Sequence, residues 1–285
     1  MSGCVGGSER RARRAVLPAA LAALLAALPA VAAPVPQRVV SINLCTDQLA
    51  LLMAAPGQIA ALTELAHDPE MSALSSAAVA YPTTRGRAEE VYLLAPDLVL
   101  AGAYTDRATV SMLQRLGVRV EIFPAGEGVD EMRASLTRMG ELLGQPARAA
   151  ALIADFDAGL AAITPAPGAP RATVYGPGGY AWGDATLAGT ILRLAGFQNV
   201  ATGPVLSSGG YMPLERLALA RPDLIVVALS GGASRAEAVL AHPALKGIAA
   251  TGQQRDADWV CAAPAILNAV ADIARQGAAL RGDHG

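Results

Sequence analysis

Residues Glu89 to Leu100 read E-E-V-Y-L-L-A-P-D-L-V-L, and Glu215 to Val226 read E-R-L-A-L-A-R-P-D-L-I-V. In both, a Glu stands seven residues before a Pro-Asp-Leu, with Leu or Val at helical spacing between. The Glu opens a helix of about two turns, because a carboxylate favours the positive end of the helix dipole. Pro96 and Pro222 end that helix, since a proline disfavours helical backbone in the residue before it. The apolar runs Leu98-Val99-Leu100 and Leu224-Ile225-Val226-Val227 then read as strands buried on both faces, as parallel sheets require. A helix-turn-strand unit that recurs 126 residues on predicts a duplicated architecture of two α/β, Rossmann-like lobes.

The rest of the chain fits between and around the two copies. Arg38 to Ile42 is the first strand, and Thr46 or Asp47 can cap a helix over Gln48 to Ala55. A second strand covers Gln58 to Leu62. After Leu100 the chain breaks at Ala101 to Thr105, resumes as a helix over Arg107 to Leu116, and returns as a strand over Val118 to Phe123. Helical patterns then run from Val129 to Leu143 and from Ala147 to Ile163. They are interrupted only by Gly144-Gln145-Pro146, a C-cap glycine followed by a proline suited to a helix's first turn. About 35 residues without a strand, between two α/β halves, read as a helical spacer that holds the lobes apart, with two ordinary surface helices as the plainer alternative.

The second half restarts with a strand over Ala172 to Tyr175 and a helix over Thr186 to Ala195. Helix Ala233 to Ala241, strand Asp258 to Cys261 and a closing helix from about Ala265 to Leu280 complete it. The divisions are a segment 1–33, an N-terminal lobe 35–127, a helical linker 128–164 and a C-terminal lobe 165–285.

Segment 1–33 has the layout of a secretory signal peptide. Arg10, Arg11, Arg13 and Arg14 precede an apolar run from Ala15 to Ala30, with small residues for cleavage near Ala32 and Ala33. The run is Pro-interrupted and short for a membrane span. The paired arginines suit either the general or the twin-arginine export route. Cys4 precedes the run, so it is not the lipidated first residue of a mature lipoprotein. Removal of this segment, with its four Arg and Glu9, takes the net charge from −2 to −5. A mildly acidic chain without a basic stripe carries no nucleic-acid footprint. The expectation is a soluble, exported monomer.

Chemistry-bearing motifs are few. Gly176-Pro177-Gly178-Gly179-Tyr180-Ala181 matches G-x-G-x-x-A after a strand, but the acidic residue that dinucleotide binding wants about twenty positions on is missing at Asn199-Val200-Ala201. Three His, with His284 at the tail, make no His-rich zinc cage. Cys45 and Cys261 each follow an expected strand. An exported protein can oxidise them, yet sequence does not place their Cα atoms within disulfide reach, and two buried thiols are the simpler expectation.

There remains a distribution of aromatics. Tyr104, Tyr175, Tyr180, Trp182, Tyr211 and Trp259 fall at strand ends or in the loops after them, where open α/β sheets bind ligands. Such rings beside Gly and Ser suit a large, flat ligand held by stacking. Arg85 and Arg87 add attraction for an anion. Core packing is the competing use of these rings, above all for the two Trp.

With the signal peptide, the Asn43-Leu44-Cys45-Thr46-Asp47 start, the duplicated Glu…Pro-Asp-Leu unit and the helical spacer, residues 37–281 resemble the periplasmic solute-binding proteins of ABC importers for iron-siderophores, haem and cobalamin. That resemblance implies two lobes joined by a long α-helix, a ligand cleft between them, no catalytic residues, no resident cofactor or metal and small lobe motions. It implies docking of Glu89 and Glu215 on arginines of two permease subunits. The expected ligand contacts are Asn43, Cys45, Thr46, Arg85, Tyr104, Tyr180, Trp182, Tyr211 and Trp259. A siderophore would use Arg85 or Arg87 with the rings, and a corrinoid a broad aromatic cleft with few charges. Haem would need an axial Tyr104, Tyr180, Tyr211 or His67. On sequence grounds the ferric siderophore is preferred. The Asn-Leu-Cys-Thr-Asp segment departs from the family's Ser/Pro-rich start. An exported enzyme would need a base and nucleophile within about 3 Å, and no pair nominates itself. A metallochaperone would rest on Cys45 and Cys261 alone.

Overall fold

Each Pro-Asp unit leads into a strand whose side chains divide between two cores, as strands buried on both faces must. The computed structural model describes residues 34–227, 242–243, 249–253 and 255–282. The expected signal peptide and the helix expected over Ala233 to Ala241 lie outside these residues.

The N-terminal lobe contains β1 (Val39–Ser41), α1 (Leu44–Met53), β2 (Ile59–Thr63), α2 (Ser75–Ala78), β3 (Thr83–Thr84), α3 (Ala88–Leu93), β4 (Leu98–Gly102), α4 (Arg107–Arg115) and β5 (Val120–Phe123). Its sheet runs β3-β2-β1-β4-β5 and is parallel throughout. The spacer follows as α5 (Val129–Leu142) and α6 (Pro146–Ala162). The C-terminal lobe contains β6 (Arg171–Gly176), β7 (Tyr180–Ala181), α7 (Leu187–Leu194), β8 (Gln198–Asn199), β9 (Gly210–Tyr211), α8 (Leu214–Ala220), β10 (Leu224–Val227), β11 (Ala250–Gln253) and α9 (Ile266–Gly282). There β11, β10, β6 and β8 are parallel neighbours, and β7 and β9 add an antiparallel extension.

The duplication is therefore real in three dimensions. The order β2-β1-β4-β5 of one lobe recurs as β8-β6-β10-β11 in the other. The repeated unit also folds alike in detail. After α3 and α8 the chain turns through left-handed residues, Ala95 at φ 47° and Arg221 at φ 45°, before the proline. The aspartate after that proline clamps the start of the neighbouring strand. Asp97 accepts from the backbone N–H groups of Gln37 and Arg38, at 2.6 and 3.0 Å, and Asp223 accepts from that of Arg171 at 2.7 Å.

The strand residues explain the layers. Val39, Leu98 and Leu100 join one core while Val40, Val99 and Ala101 join another on the opposite face. In the second lobe Ala172, Val174, Leu224 and Val226 join the first of these cores, and Tyr175, Ile225 and Val227 a third. One apolar core thus runs continuously through both lobes, with Phe156 of α6 inside it. Lobes that share a core are not free to swing as domains with a polar interface do.

The break at Gly144-Gln145-Pro146 folds α5 and α6 back on each other, with Arg133 of α5 paired to Asp157 of α6 at 2.6 Å. The joining element is α6, seventeen residues with Pro146 in its first turn, about 25 Å long at 1.5 Å per residue. Its first half packs on α5, where Gly140 faces Ala149, and its second half on α9, where Gly159 faces Leu267.

Several boundaries differ from the sequence reading. Helix α1 starts four residues earlier than expected, because Asn43 rather than Thr46 or Asp47 is its cap, with its side-chain oxygen accepting from the N–H groups of Cys45 and Thr46. The expected strand over Asp258 to Cys261 is a 3-10 turn, Asp256–Asp258, continued by irregular chain. The edge strand is instead β11, whose Ala-Thr-Gly-Gln carries little strand character of its own. The glycine-rich run at 176–181 closes an antiparallel hairpin between β6 and β7, so no helix N-terminus follows it to hold a pyrophosphate.

Candidate functional site

The cleft is built from segments just past the carboxyl ends of the strands. Tyr104 stands two residues beyond β4, Gly126 and Glu127 lie beyond β5, Pro177 closes β6, and Asp256, Trp259 and Val260 lie beyond β11. The hairpin strand β7 and its exit supply Tyr180 and Trp182, and the first turn of α7 adds Thr186, Leu187 and Ala188. Together they line a cavity of about 560 Å³ between the lobes. Parallel strands end where ligands of open α/β sheets bind, and both sheets end here.

Rings dominate one wall. Trp182 and Trp259 lie with centroids 6.0 Å apart, and Tyr180 meets Trp182 edge-on at 5.0 Å. Trp259 is only 9% exposed, so it serves core and wall together, held by its indole N–H donating to Asp256 at 3.0 Å. The Tyr180 hydroxyl donates to the Ser208 carbonyl at 3.4 Å. Tyr104 reaches in from the opposite lobe and is 85% exposed, with room to close on a guest.

The charges in the cleft are acidic. Glu127 and Asp256 face it, and no Lys, Arg or His is among its described lining residues. Glu127 has no partner for its carboxylate among the described residues, although its backbone carbonyl accepts from the Thr190 hydroxyl across the lobes at 2.8 Å.

Next to Val260 of the lining, the lobes are also joined covalently. Cys45, in the first turn of α1, is disulfide-bonded to Cys261, with Cα atoms 5.2 Å apart. This corrects the expectation of two buried thiols: the duplicated fold brings the entry to α1 against the chain leading into α9. Leu44, Cys261 and Ala263, with Cys45 and Met71 beside them, form a small apolar plug around the bridge. Gly126 approaches Ala262 so closely that a Cβ on it would lie 2.7 Å from the alanine methyl.

Of the residues singled out from sequence, the fold brings Tyr104, Tyr180, Trp182 and Trp259 together. It places the others elsewhere. Asn43 is spent on capping α1, and Thr46 is buried, donating to the Asn43 carbonyl at 2.9 Å and bonded to the Ser41 hydroxyl at 2.7 Å. Cys45 is consumed by the bridge, which also removes the soft ligands a metallochaperone would use. Tyr175 is fully buried, its hydroxyl donating to the Met212 carbonyl. Tyr211 of β9 pairs with Tyr180 of β7, 69% exposed and outside the cleft lining. Gly179, at φ 77°, permits the β6–β7 turn; a Cβ there would lie 3.0 Å from the Tyr211 ring. His67 bonds the carbonyls of Thr63 and Tyr81.

Arg85 and Arg87 line a second, open depression with Glu64, Glu89 and Glu90. Arg85 pairs with Glu64 at 3.2 Å, and its backbone N–H donates to Glu90. Glu89 and Glu215 are exposed in the first turns of α3 and α8, with no partner among the described residues. Glu89 shares its depression with Glu64 and Arg85, just past β2 and β3, so it stands at the carboxyl ends of those strands.

Sequence reading missed Glu127, Asp256 and the first turn of α7. The position just past β5 was available as a signal for Glu127. Asp256 was hidden by the strand wrongly expected next to it.

Residues 39–256 match the model of a family described as periplasmic binding protein. A cobalamin-binding protein of Halobacterium salinarum is 32% identical over 155 residues, 53% of this chain; the match spans 42% of that relative's length. Many solved structures share the fold. A periplasmic heme-binding protein from Pseudomonas aeruginosa superposes with TM-score 0.70 at 22% identity, covering 86% of this chain and 94% of its own. The periplasmic vitamin B12-binding protein of Vibrio cholerae gives 0.64 at 14% identity, covering 86% and 98%.

Proposed function

The chain belongs to the periplasmic binding protein family, and from that premise we propose that it is the exported, substrate-binding component of an ABC importer, without catalytic activity of its own. It captures a metal chelate between its lobes and delivers it to a membrane permease, on which Glu89 and Glu215 dock. The chelate we propose is a corrinoid.

The observation that carries this reading is the cleft's composition: four aromatic rings, two carboxylates and no described basic side chain. A corrinoid presents a broad ring and a fringe of neutral amides. Its faces stack on Tyr and Trp, and its amide N–H groups can donate to Glu127 and Asp256. Haem and ferric catecholates carry negative charge, which two carboxylates repel in a partly desolvated cleft, and a neutral ferric hydroxamate lacks the broad flat face that the rings would stack on. The arginines that favoured a siderophore from sequence line the other depression. The cobalamin-binding relative points the same way.

Thermal unfolding with cyanocobalamin, haemin or a ferric hydroxamate separates the ligands. A site filled at a hundred times Kd adds about 2.7 kcal/mol. Cyanocobalamin should raise the melting temperature by several degrees and the other two should not. A shift with haemin or the hydroxamate alone would replace the corrinoid and keep the importer; no shift with any would count against both.

A further inference from the structure

The two copies of the repeated unit share one feature that neither ligand binding nor folding uses. Four residues beyond Glu89 stands Leu93, and four beyond Glu215 stands Leu219. Leu93 is 84% exposed and Leu219 83%. Residues four apart lie one above the other on a helix face, so each leucine stands directly beside its glutamate. The inward position is equally matched: Val91 and Leu217, two residues past each glutamate, are fully buried.

A lone exposed leucine needs no explanation. The same exposure at the same register in both lobes does, because the intervening residues have diverged: Glu90 and Tyr92 in one unit answer to Arg216 and Ala218 in the other. The left-handed turns at Ala95 and Arg221 and the clamps by Asp97 and Asp223 hold both helices in the same local frame. Each lobe thus offers the same small epitope, a carboxylate and a bare apolar side chain one turn apart. Both carboxylates lack a partner among the described residues.

We infer that Leu93 with Glu89 and Leu219 with Glu215 form a duplicated docking surface for a two-fold-repeated protein that offers, on each copy, a basic side chain beside an apolar recess. Charge complementarity asks for the base, and the leucine asks for the recess. Two like epitopes on one chain are met most simply by a symmetric dimer. The inference rests on the importer reading, in which that dimer is the permease; it adds that the leucines supply affinity that salt does not screen.

The test measures binding of the full-length mature protein to its cognate permease complex in lipid nanodiscs, at low and high salt. Leu93→Ala and Leu219→Ala should each weaken binding about tenfold, and the double variant about a hundredfold, to the same extent at both salt concentrations. Glu89→Gln with Glu215→Gln should weaken it strongly at low salt and less at high salt. Unchanged melting temperature and unchanged cyanocobalamin binding confirm that the leucine variants are folded. Wild-type binding by the leucine double variant, with loss in the glutamine variant, would overturn the inference and leave the importer reading intact. A large effect at one leucine and none at the other would overturn the two-fold part. Failure of the wild-type protein to bind the permease would remove the importer reading itself.

Discussion

Asp47 sits in α1 with no exposed surface, accepting from the Thr63 backbone N–H at 3.3 Å and from the Thr63 hydroxyl. Burial pushes its carboxyl up to about 6, against the pull of hydrogen bonds from Ser41 and Thr63. A raised carboxyl favours the protonated folded state. Its contribution is therefore complete below the unfolded value near 4 and is lost as pH rises through about 6. Urea unfolding of the wild type and Asp47→Asn across pH 4 to 7 should show the wild type losing roughly 3 kcal/mol relative to the variant. A difference that stays constant with pH would refute this. In the cleft, Trp182 touches both Tyr180 and Trp259, so Trp182→Ala removes the middle of the wall. It should weaken cyanocobalamin binding tenfold or more in equilibrium titration. At this scale the sequence was half legible. Rings after strands announce a cleft, but Asn43, Cys45 and Thr46 looked the same from sequence whether they cap, cross-link or bind.

Among elements, the Glu…Pro-Asp-Leu unit was readable because each residue does a local job: helix start, helix stop, strand clamp, buried strand. The segment from β11 to α9 was not. Trp259, Val260 and Cys261 suggest a strand by residue type, yet they lie in a turn held by a local bond, Asp256 to the indole, and by a tertiary one, the bridge to Cys45. The bridge spans 216 residues of sequence. By chain entropy alone it stabilises the fold by on the order of 5 kcal/mol. Cys45→Ser with Cys261→Ser should therefore lower the urea midpoint markedly. It should also weaken cyanocobalamin binding, because Asp256, Trp259 and Val260 hang from the bridged segment. Equal midpoints for variant and wild type would show that the apolar plug of Leu44, Ala263 and Met71 alone holds this junction.

At the scale of the whole molecule, a core shared by both lobes and a helix about 25 Å long between them oppose swinging of one lobe against the other. On the importer reading, delivery then depends on how the two lobes seat on the permease. Charges desolvated in such a complex cost about 2–5 kcal/mol when one side is removed. Glu89→Ala with Glu215→Ala should thus abolish uptake in whole cells while ligand affinity stays at the wild-type value; normal uptake would defeat the docking role. The duplication that creates this symmetry was visible in twelve residues repeated. The disulfide that pins the lobes was not, because contact between Cys45 and Cys261 exists only once both lobes are folded. The protein has two tryptophans and both line the cleft, so its indole fluorescence reports on that cleft alone. Titration with cyanocobalamin should quench it to a single saturable end point at one ligand per chain, and the quenching should not saturate with a ferric hydroxamate. Fluorescence that no corrinoid alters at concentrations up to the millimolar range would contradict a corrinoid-binding cleft.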